Sequence, residues 1–303
     1  MKKLLFALFS GIVVSFLFAS CHKYEESMYN KSDYQIKYIW YKTNSGDPNE
    51  TFNYDKKKML TSINILDTSD INYIRMENFD FTYNKDKTVK SISHTSDGIS
   101  ETVSFSYLNR YVKYMTYSIN GEIRLVSNFF RDDEKSAKIT RITEIFDRQF
   151  FEDMQLLKKT VLFPKFVGNL ERVSDLATAN TKELTLYCEK KITYEGENIV
   201  SIEESYPALL KAITTTMTYG DVLNPYYGLN YCYSNDLLGF SKNALASKAV
   251  TTYVDGVLSY TEQTDYQYTD INKDKYPRIF TYTSSNNPGI HFRTYITYVS
   301  EYK

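Results

Sequence analysis

The chain is predicted to be mainly β, an antiparallel meander of repeated hairpins forming one large curved or barrel-like sheet with one or two short helices. Three observations predict this. From Tyr34 onward the apolar residues recur with a period of two. Asp97-Gly98, Asn120-Gly121 and Asp255-Gly256 each sit between alternating runs, and these dipeptides favour the positive-φ geometry of tight type I′ hairpins. An aromatic-x-Tyr unit recurs along most of the chain.

Before the β region stands a different kind of segment. Lys2 and Lys3 precede an apolar run from Leu4 to Ala19, which ends in Ala19-Ser20-Cys21. The run is short for a membrane-spanning helix, which needs roughly 20 apolar residues. A positive start, an apolar middle and a small-residue cleavage site describe a secretory signal over residues 1–20. Ala19, Ser20 and Cys21 resemble the lipobox of bacterial lipoprotein signals, with Phe18 where leucine is usual. That resemblance implies acylation of Cys21 and anchoring by its lipid, at about 0.8 kcal/mol per buried CH₂. Residues 21–33 have no apolar periodicity and read as a tether. Within it, Lys23-Tyr24-Glu25-Glu26 resembles the acidic export signals of some Bacteroidetes surface lipoproteins. A flexible charged linker accounts for the same residues. The expected location is the outer membrane, lipid-anchored, on its periplasmic side or at the cell surface.

Residues 34–303 are expected to form a single domain. In the first strand Tyr34, Ile36, Tyr38 and Trp40 share a face, while Lys37 and Tyr41 point the other way. The repeat follows: Phe52-Asn53-Tyr54 with Leu60 and Ile63, Phe81-Thr82-Tyr83 with Val89 and Ile92, Phe105-Ser106-Tyr107 with Val112 and Met115. Ile192-Thr193-Tyr194 with Ile199 and Ile202 continues it, and a looser copy surrounds Tyr266 and Tyr268. Each unit is one hairpin, and a hairpin cannot bury its apolar face alone, so the copies must pair into a continuous sheet. Phe146, Phe150, Met154, Leu157 and Val161 recur at near-helical spacing up to Pro164 and predict a helix. A second short helix is expected between Asn235 and Ala246. Lys90 and Lys113 on the second face of their strands argue against a sheet facing lipid.

The unit, aromatic-x-Tyr, polar turn, aliphatic-x-x-Ile, resembles the repeats of uncharacterised Bacteroidetes lipoproteins. More distantly it resembles the tyrosine-aspartate repeats of large secreted shell-forming proteins. Asn224-Pro225-Tyr226-Tyr227, followed by a loop and Leu237-Leu238, resembles the Asn-Pro segment that interrupts the strands in the lipoprotein family. The resemblance covers most of residues 50–300. It implies an extended, highly curved antiparallel sheet and carries over no activity and no functional residues.

Composition narrows the function. Loss of Lys2 and Lys3 with the signal leaves 34 basic against 37 acidic residues, a net charge of about −3 with the signs mixed. Nucleic-acid binders show a basic face, which is lacking here. Only three histidines occur, His22, His94 and His291, outside any metal or nucleophile motif. His94 and His291 read as strand histidines bridging core and surface. Asp270-Ile271-Asn272-Lys273-Asp274 copies half a calcium loop but lacks the later Gly and Glu, and reads as a hairpin turn. No cofactor or metal site is predicted. Cys188 and Cys232, the remaining thiols, either form a disulfide in an oxidising compartment or stay apart.

Most of the 29 tyrosines are expected to serve the sheet. The candidate ligand-binding residues are Trp40, the sole tryptophan, and Tyr226, Tyr227, Tyr231 and Tyr233 around the Asn-Pro loop, because exposed aromatics stack on sugars or anchor protein partners. The expected function is binding or a structural role, towards a glycan or an envelope protein. The alternative is a carboxylate-dependent hydrolase of envelope or dietary glycans, drawing on acids such as Asp132, Asp133, Glu134, Glu203 and Glu204. A third reading is a scaffold whose open sheet edge pairs with another protein.

Overall fold

A computed structural model describes residues 35–41, 47–67, 75–146, 160, 162, 186–229 and 237–301. Its strands are β1 (Ile36–Tyr41), β2 (Glu50–Tyr54), β3 (Leu60–Asp67), β4 (Arg75–Tyr83), β5 (Val89–Ser96), β6 (Ile99–Leu108), β7 (Tyr111–Ile119) and β8 (Glu122–Phe130). They continue as β9 (Arg141–Phe146), β10 (Cys188–Glu195), β11 (Asn198–Tyr206), β12 (Lys211–Leu223), β13 (Asn243–Val254), β14 (Val257–Ile271), β15 (Pro277–Ser284) and β16 (Phe292–Tyr298). Each strand pairs antiparallel with its neighbours in sequence, and β16 returns to β1, closing a 16-stranded meander barrel. At the closing seam Ile39 lies opposite Ile296 and Trp40 opposite Tyr295.

The turns follow their sequences. Asp97-Gly98, Asn120-Gly121 and Asp255-Gly256 all have positive φ, between 50° and 86°, as two-residue type I′ turns require. At the opposite end of the barrel a five-residue turn recurs. Lys58, Lys87 and Lys275 adopt positive φ, and Asp55 N, Asn84 N and Asn272 N each donate to the carbonyl four residues on. Asn272 Oδ1 accepts from the N–H groups of Asp274 and Tyr276, which makes the calcium-like stretch a self-bonded turn.

A bulge explains the repeat. The register shifts immediately before Tyr54, Tyr83, Tyr107, Tyr194 and Tyr219, so the following or partner strand carries one extra residue, Lys90 and Lys113 among them. This is why the aliphatic residues stand three apart rather than two. Leu60 and Ile63, Val89 and Ile92, and Val112 and Met115 all point inward and are buried. Tyrosines along the repeat reach back one strand. Tyr54 donates its hydroxyl to Ile36 O at 2.8 Å, Tyr107 to Val89 O at 2.8 Å, Tyr268 to Leu245 O at 2.8 Å and Tyr298 to Pro277 O at 2.7 Å, with Tyr83 and Tyr219 bonding Leu60 O and Ile199 O alike. One bulge also alters the first strand. The shift between Ile36 and Tyr38 turns Ile36 and Ile39 inward and leaves Tyr38 and Trp40 on the outer face, so the simple alternation expected there fails.

The core fills the barrel. Inward residues from β1 round to β16 form one apolar cluster, with Ile39, Phe52, Leu60, Ile92, Val103, Tyr117 and Tyr298 fully buried. A barrel of this strand number is wide enough to leave a channel. Here chain segments enter it: Leu162, from the connection between β9 and β10, is buried against the inner wall, and Leu229 and Leu237, from the connection between β12 and β13, join the core. The outer face is polar, with cross-strand pairs such as Thr82 to Ser91 at 2.6 Å and Thr218 to Ser247 at 2.7 Å. That sidedness is the reverse of a membrane-spanning barrel, whose outer band is apolar.

Helix is scarcer than expected. The segment between Asn235 and Ala246 forms a 3-10 turn over Leu238–Phe240 and then enters β13, because Ala244 and Leu245 find buried places in the sheet. The other expected helix, from Phe146 to Val161, lies largely outside the described residues.

Candidate binding site at the barrel mouth

The inner wall changes character along the axis. Near the end where Gln35 leads into β1 it is apolar, and toward the far end it carries acids and their partners. Glu77, His94, Glu101 and Tyr117 come one each from β4, β5, β6 and β7. His94 Nε2 lies 2.5 Å from Glu77 Oε2 and its Nδ1 3.2 Å from Glu101 Oε2. Tyr117 donates its hydroxyl to Glu101 Oε1 at 2.7 Å, and the Leu162 N–H donates to the same oxygen at 3.1 Å. The imidazole stacks on Phe79 with centroids 5.3 Å apart. Burial by itself lowers the His94 pKa, but the two flanking carboxylates outweigh it and hold the ring above its ordinary value. An acid on each nitrogen suits a ring that donates from both.

A second buried group stands on the next strands. Lys190 Nζ lies 3.3 Å from Glu144 Oε1, with Lys190 opposite Glu204 in the sheet and Glu204 accepting from the Tyr206 hydroxyl. Burial opposes the Lys190 charge, yet Glu144 and Glu204 push its pKa up. Burial and the Glu144 charge push the Cys188 thiol up, so it rests protonated and is no nucleophile. In both groups the cation is buried against carboxylates of neighbouring strands. His94 is 3% exposed. It therefore belongs wholly to the interior rather than bridging core and surface, because carboxylates on both neighbouring strands compensate its burial.

The wall made by β14, β15 and β16 is different. Tyr266, Tyr282 and Phe292 lie directly opposite one another across the three strands and face inward. Tyr266 and Tyr282 have centroids 5.9 Å apart, and Tyr282 and Phe292 stack at 4.7 Å and 12°. One rung deeper, Tyr268 and Phe280 repeat the arrangement at 5.9 Å. The upper rung is incompletely covered: Phe292 is 39% exposed, whereas Thr294 and Ile296 beneath it are buried. Polar groups border it. Ser284 donates to Glu262 Oε1 at 2.5 Å, the Tyr260 hydroxyl to Glu262 Oε2 at 3.1 Å, and Asn286 to the Tyr260 oxygen. On the other flank Tyr41, opposite Thr294, is exposed and donates to Glu50 Oε1 at 2.5 Å. Partial burial raises the Tyr282 pKa, keeping its hydroxyl a donor. A flat aromatic surface bordered by carboxylates, hydroxyls and an amide can stack on a ring while hydrogen-bonding its rim.

The residues singled out from the sequence lie elsewhere. Trp40 is on the outer face beside Tyr38, 5.5 Å between centroids. Tyr226 and Tyr227 stand at the opposite end of the barrel, in the turn after β12, where Asn224 Oδ1 accepts from Tyr226 N at 3.0 Å and Tyr227 is exposed. Tyr231, Tyr233, Cys21 and Cys232 lie outside the described residues. Cys188 opens β10 at the far end. Asp132, Asp133 and Glu134 are exposed in the connection after β8, Glu203 is exposed on β11, and His291 is exposed and bonded to Thr283 at 2.9 Å. The aromatic wall itself was signalled only by the loosest copy of the repeat, around Tyr266 and Tyr268.

No family model matches the chain, and no curated protein matches it. Among solved structures, a porin-like protein from Bacteroides uniformis aligns at a TM-score of 0.47 and 12% identity, over 82% of this chain and 88% of that one. A porin-like protein from Bacteroides vulgatus aligns at 0.48 and 8% identity, over 87% and 98%. A Photorhabdus luminescens Tc holotoxin pore aligns at 0.25 and 9% identity, over 77% of this chain and 13% of that one.

Proposed function

We propose that this protein is a lipid-anchored module of the outer membrane that binds a glycan at the far mouth of its barrel. The observation that carries the reading is the partly exposed rung Tyr266, Tyr282 and Phe292, bordered by Glu262, Ser284 and Tyr260. Aromatic faces stack on the apolar faces of sugar rings, and carboxylate and hydroxyl groups take the ring hydroxyls. The lipoprotein-like start at Cys21 supplies the anchor, and the polar outer face suits a domain held beside a bilayer rather than through it. The hydrolase alternative asks for two acids facing across a groove, and no pair among the described residues favours it.

Affinity electrophoresis of the protein through gels containing soluble polysaccharides or peptidoglycan fragments tests the proposal. At least one polymer should retard the wild type, and Tyr282→Ala or Phe292→Ala should weaken that retardation by about tenfold or more, the scale of losing one stacking anchor. Retardation that both variants leave unchanged would place the ligand elsewhere. No retardation by any polymer would remove the glycan reading.

A further inference from the structure

Two lysines of the inner wall are treated differently by the fold. Lys190 is buried and lies 3.3 Å from Glu144 Oε1. Lys248, on β13, is half-buried and also faces inward. It stands opposite Met217 of β12, which belongs to the core, while its neighbour Ser247 bonds Thr218 on the outer face. Val250, the next inward residue of the strand, packs against the core. Among the described residues none forms an ion pair or a hydrogen bond with Lys248.

Its place is beside the aromatic rung. Lys248 lies opposite Thr264 of β14, and Thr264 opposite Ser284 of β15, so these three make the next inward rung beyond Tyr266, Tyr282 and Phe292. Two residues along a strand span roughly 7 Å, within the reach of an extended lysine side chain. Thr264 and Ser284 are buried and uncharged. The inward acid of this wall is Glu262, opposite Val250 and one rung farther out. Its two oxygens accept from the Ser284 and Tyr260 hydroxyls. A half-buried ammonium therefore loses hydration that no carboxylate of the wall returns, and an anion brought by a ligand would return it.

We propose that the sugar stacked on Tyr266, Tyr282 and Phe292 carries an anionic substituent, the carboxylate of a uronic acid, and that the Lys248 ammonium binds it. This rests on the glycan reading of the far mouth and narrows it to acidic polymers. Glu262, one rung farther out, disfavours an anion at the rim and takes neutral ring hydroxyls, so the carboxylate seats inward at Lys248. The whole chain has a net charge of −1, so a polyanion meets no general attraction and selection falls to the local cation.

Affinity electrophoresis of the full chain through polygalacturonate, alginate and hyaluronan, each beside its methyl-esterified form and beside neutral dextran, tests this. At least one acidic polymer should retard the wild type, and its esterified form should not. Lys248→Met should weaken the retardation by about tenfold or more, the scale of one charge-assisted hydrogen bond, and Lys248→Arg should keep most of it. With no described partner to lose, Lys248→Met should also keep the wild-type thermal midpoint. Retardation by neutral or esterified polymers alone, weakened by Tyr282→Ala, overturns this inference and leaves the glycan reading standing. So does retardation by an acidic polymer that Lys248→Met leaves unchanged, or that Lys191→Gln, on the outer face of β10, lowers equally. No retardation by any polymer removes both.

Discussion

At the scale of single residues, the buried imidazole of His94 is the clearest case of a sequence feature whose meaning depends on its neighbours. As one of three histidines outside any motif it read as incidental, yet Glu77 and Glu101 grip both its nitrogens inside the wall. A folded-state pKa raised above the ordinary value of about 6.5 makes its stabilisation fully present below that pH and lost as pH rises through the folded pKa. The urea midpoint of the wild type should therefore fall relative to that of His94→Gln as pH is raised above about 6.5. Equal pH dependence in the two proteins would show that the pair of acids does not hold a proton on the ring. Removing the cation outright leaves two acids facing each other without it, and His94→Ala should cost about 3–5 kcal/mol in urea unfolding near pH 6. The repeat tyrosines act on a smaller scale. Tyr107→Phe deletes the bond to Val89 O while keeping the ring, and should cost about 0.5–1.5 kcal/mol.

At the scale of the elements, much was legible and one device was not. The Asn-Gly and Asp-Gly turns declare themselves because two adjacent residues with positive φ are almost a signature of composition. At Gly121 a Cβ would meet open space, so Gly121→Ala should cost about 1 kcal/mol through backbone conformation alone, read as a shift in thermal midpoint. The bulges were visible only as the odd spacing of Leu60 and Ile63 or Val112 and Met115. Their cause is geometric: an extra residue re-aims the chain so that both aliphatic residues face inward. Deleting Lys113 should remove that offset and turn Val112 or Met115 outward, with loss of cooperative unfolding or a large fall in stability. A variant as stable as the wild type would mean that the bulge is dispensable.

At the scale of the whole molecule, closure is what makes the barrel a single cooperative unit. β1 and β16 are joined by five residue pairs across the seam, between residues more than 250 positions apart. Truncation after Asn287 removes β16, opens edges on both β1 and β15, and should give a protein that aggregates or unfolds without a sharp transition. Closure also decides where aromatic surface is left uncovered. Among the described residues, the inner faces of most strands are used up in the core, whereas toward the far end of β14 to β16 an aromatic rung remains partly uncovered.

The sequence by itself determined the all-β class, the type I′ turns and the hairpin repeat, because each rests on residues a few positions apart and on backbone preferences that act locally. Only the tertiary structure decided that the meander closes, that His94 and Lys190 sit between acids from neighbouring strands, and that Tyr266, Tyr282 and Phe292 line up across one inner wall. These depend on which strand lies beside which and on how far the lumen is filled, and long-range pairing leaves no local mark in the chain.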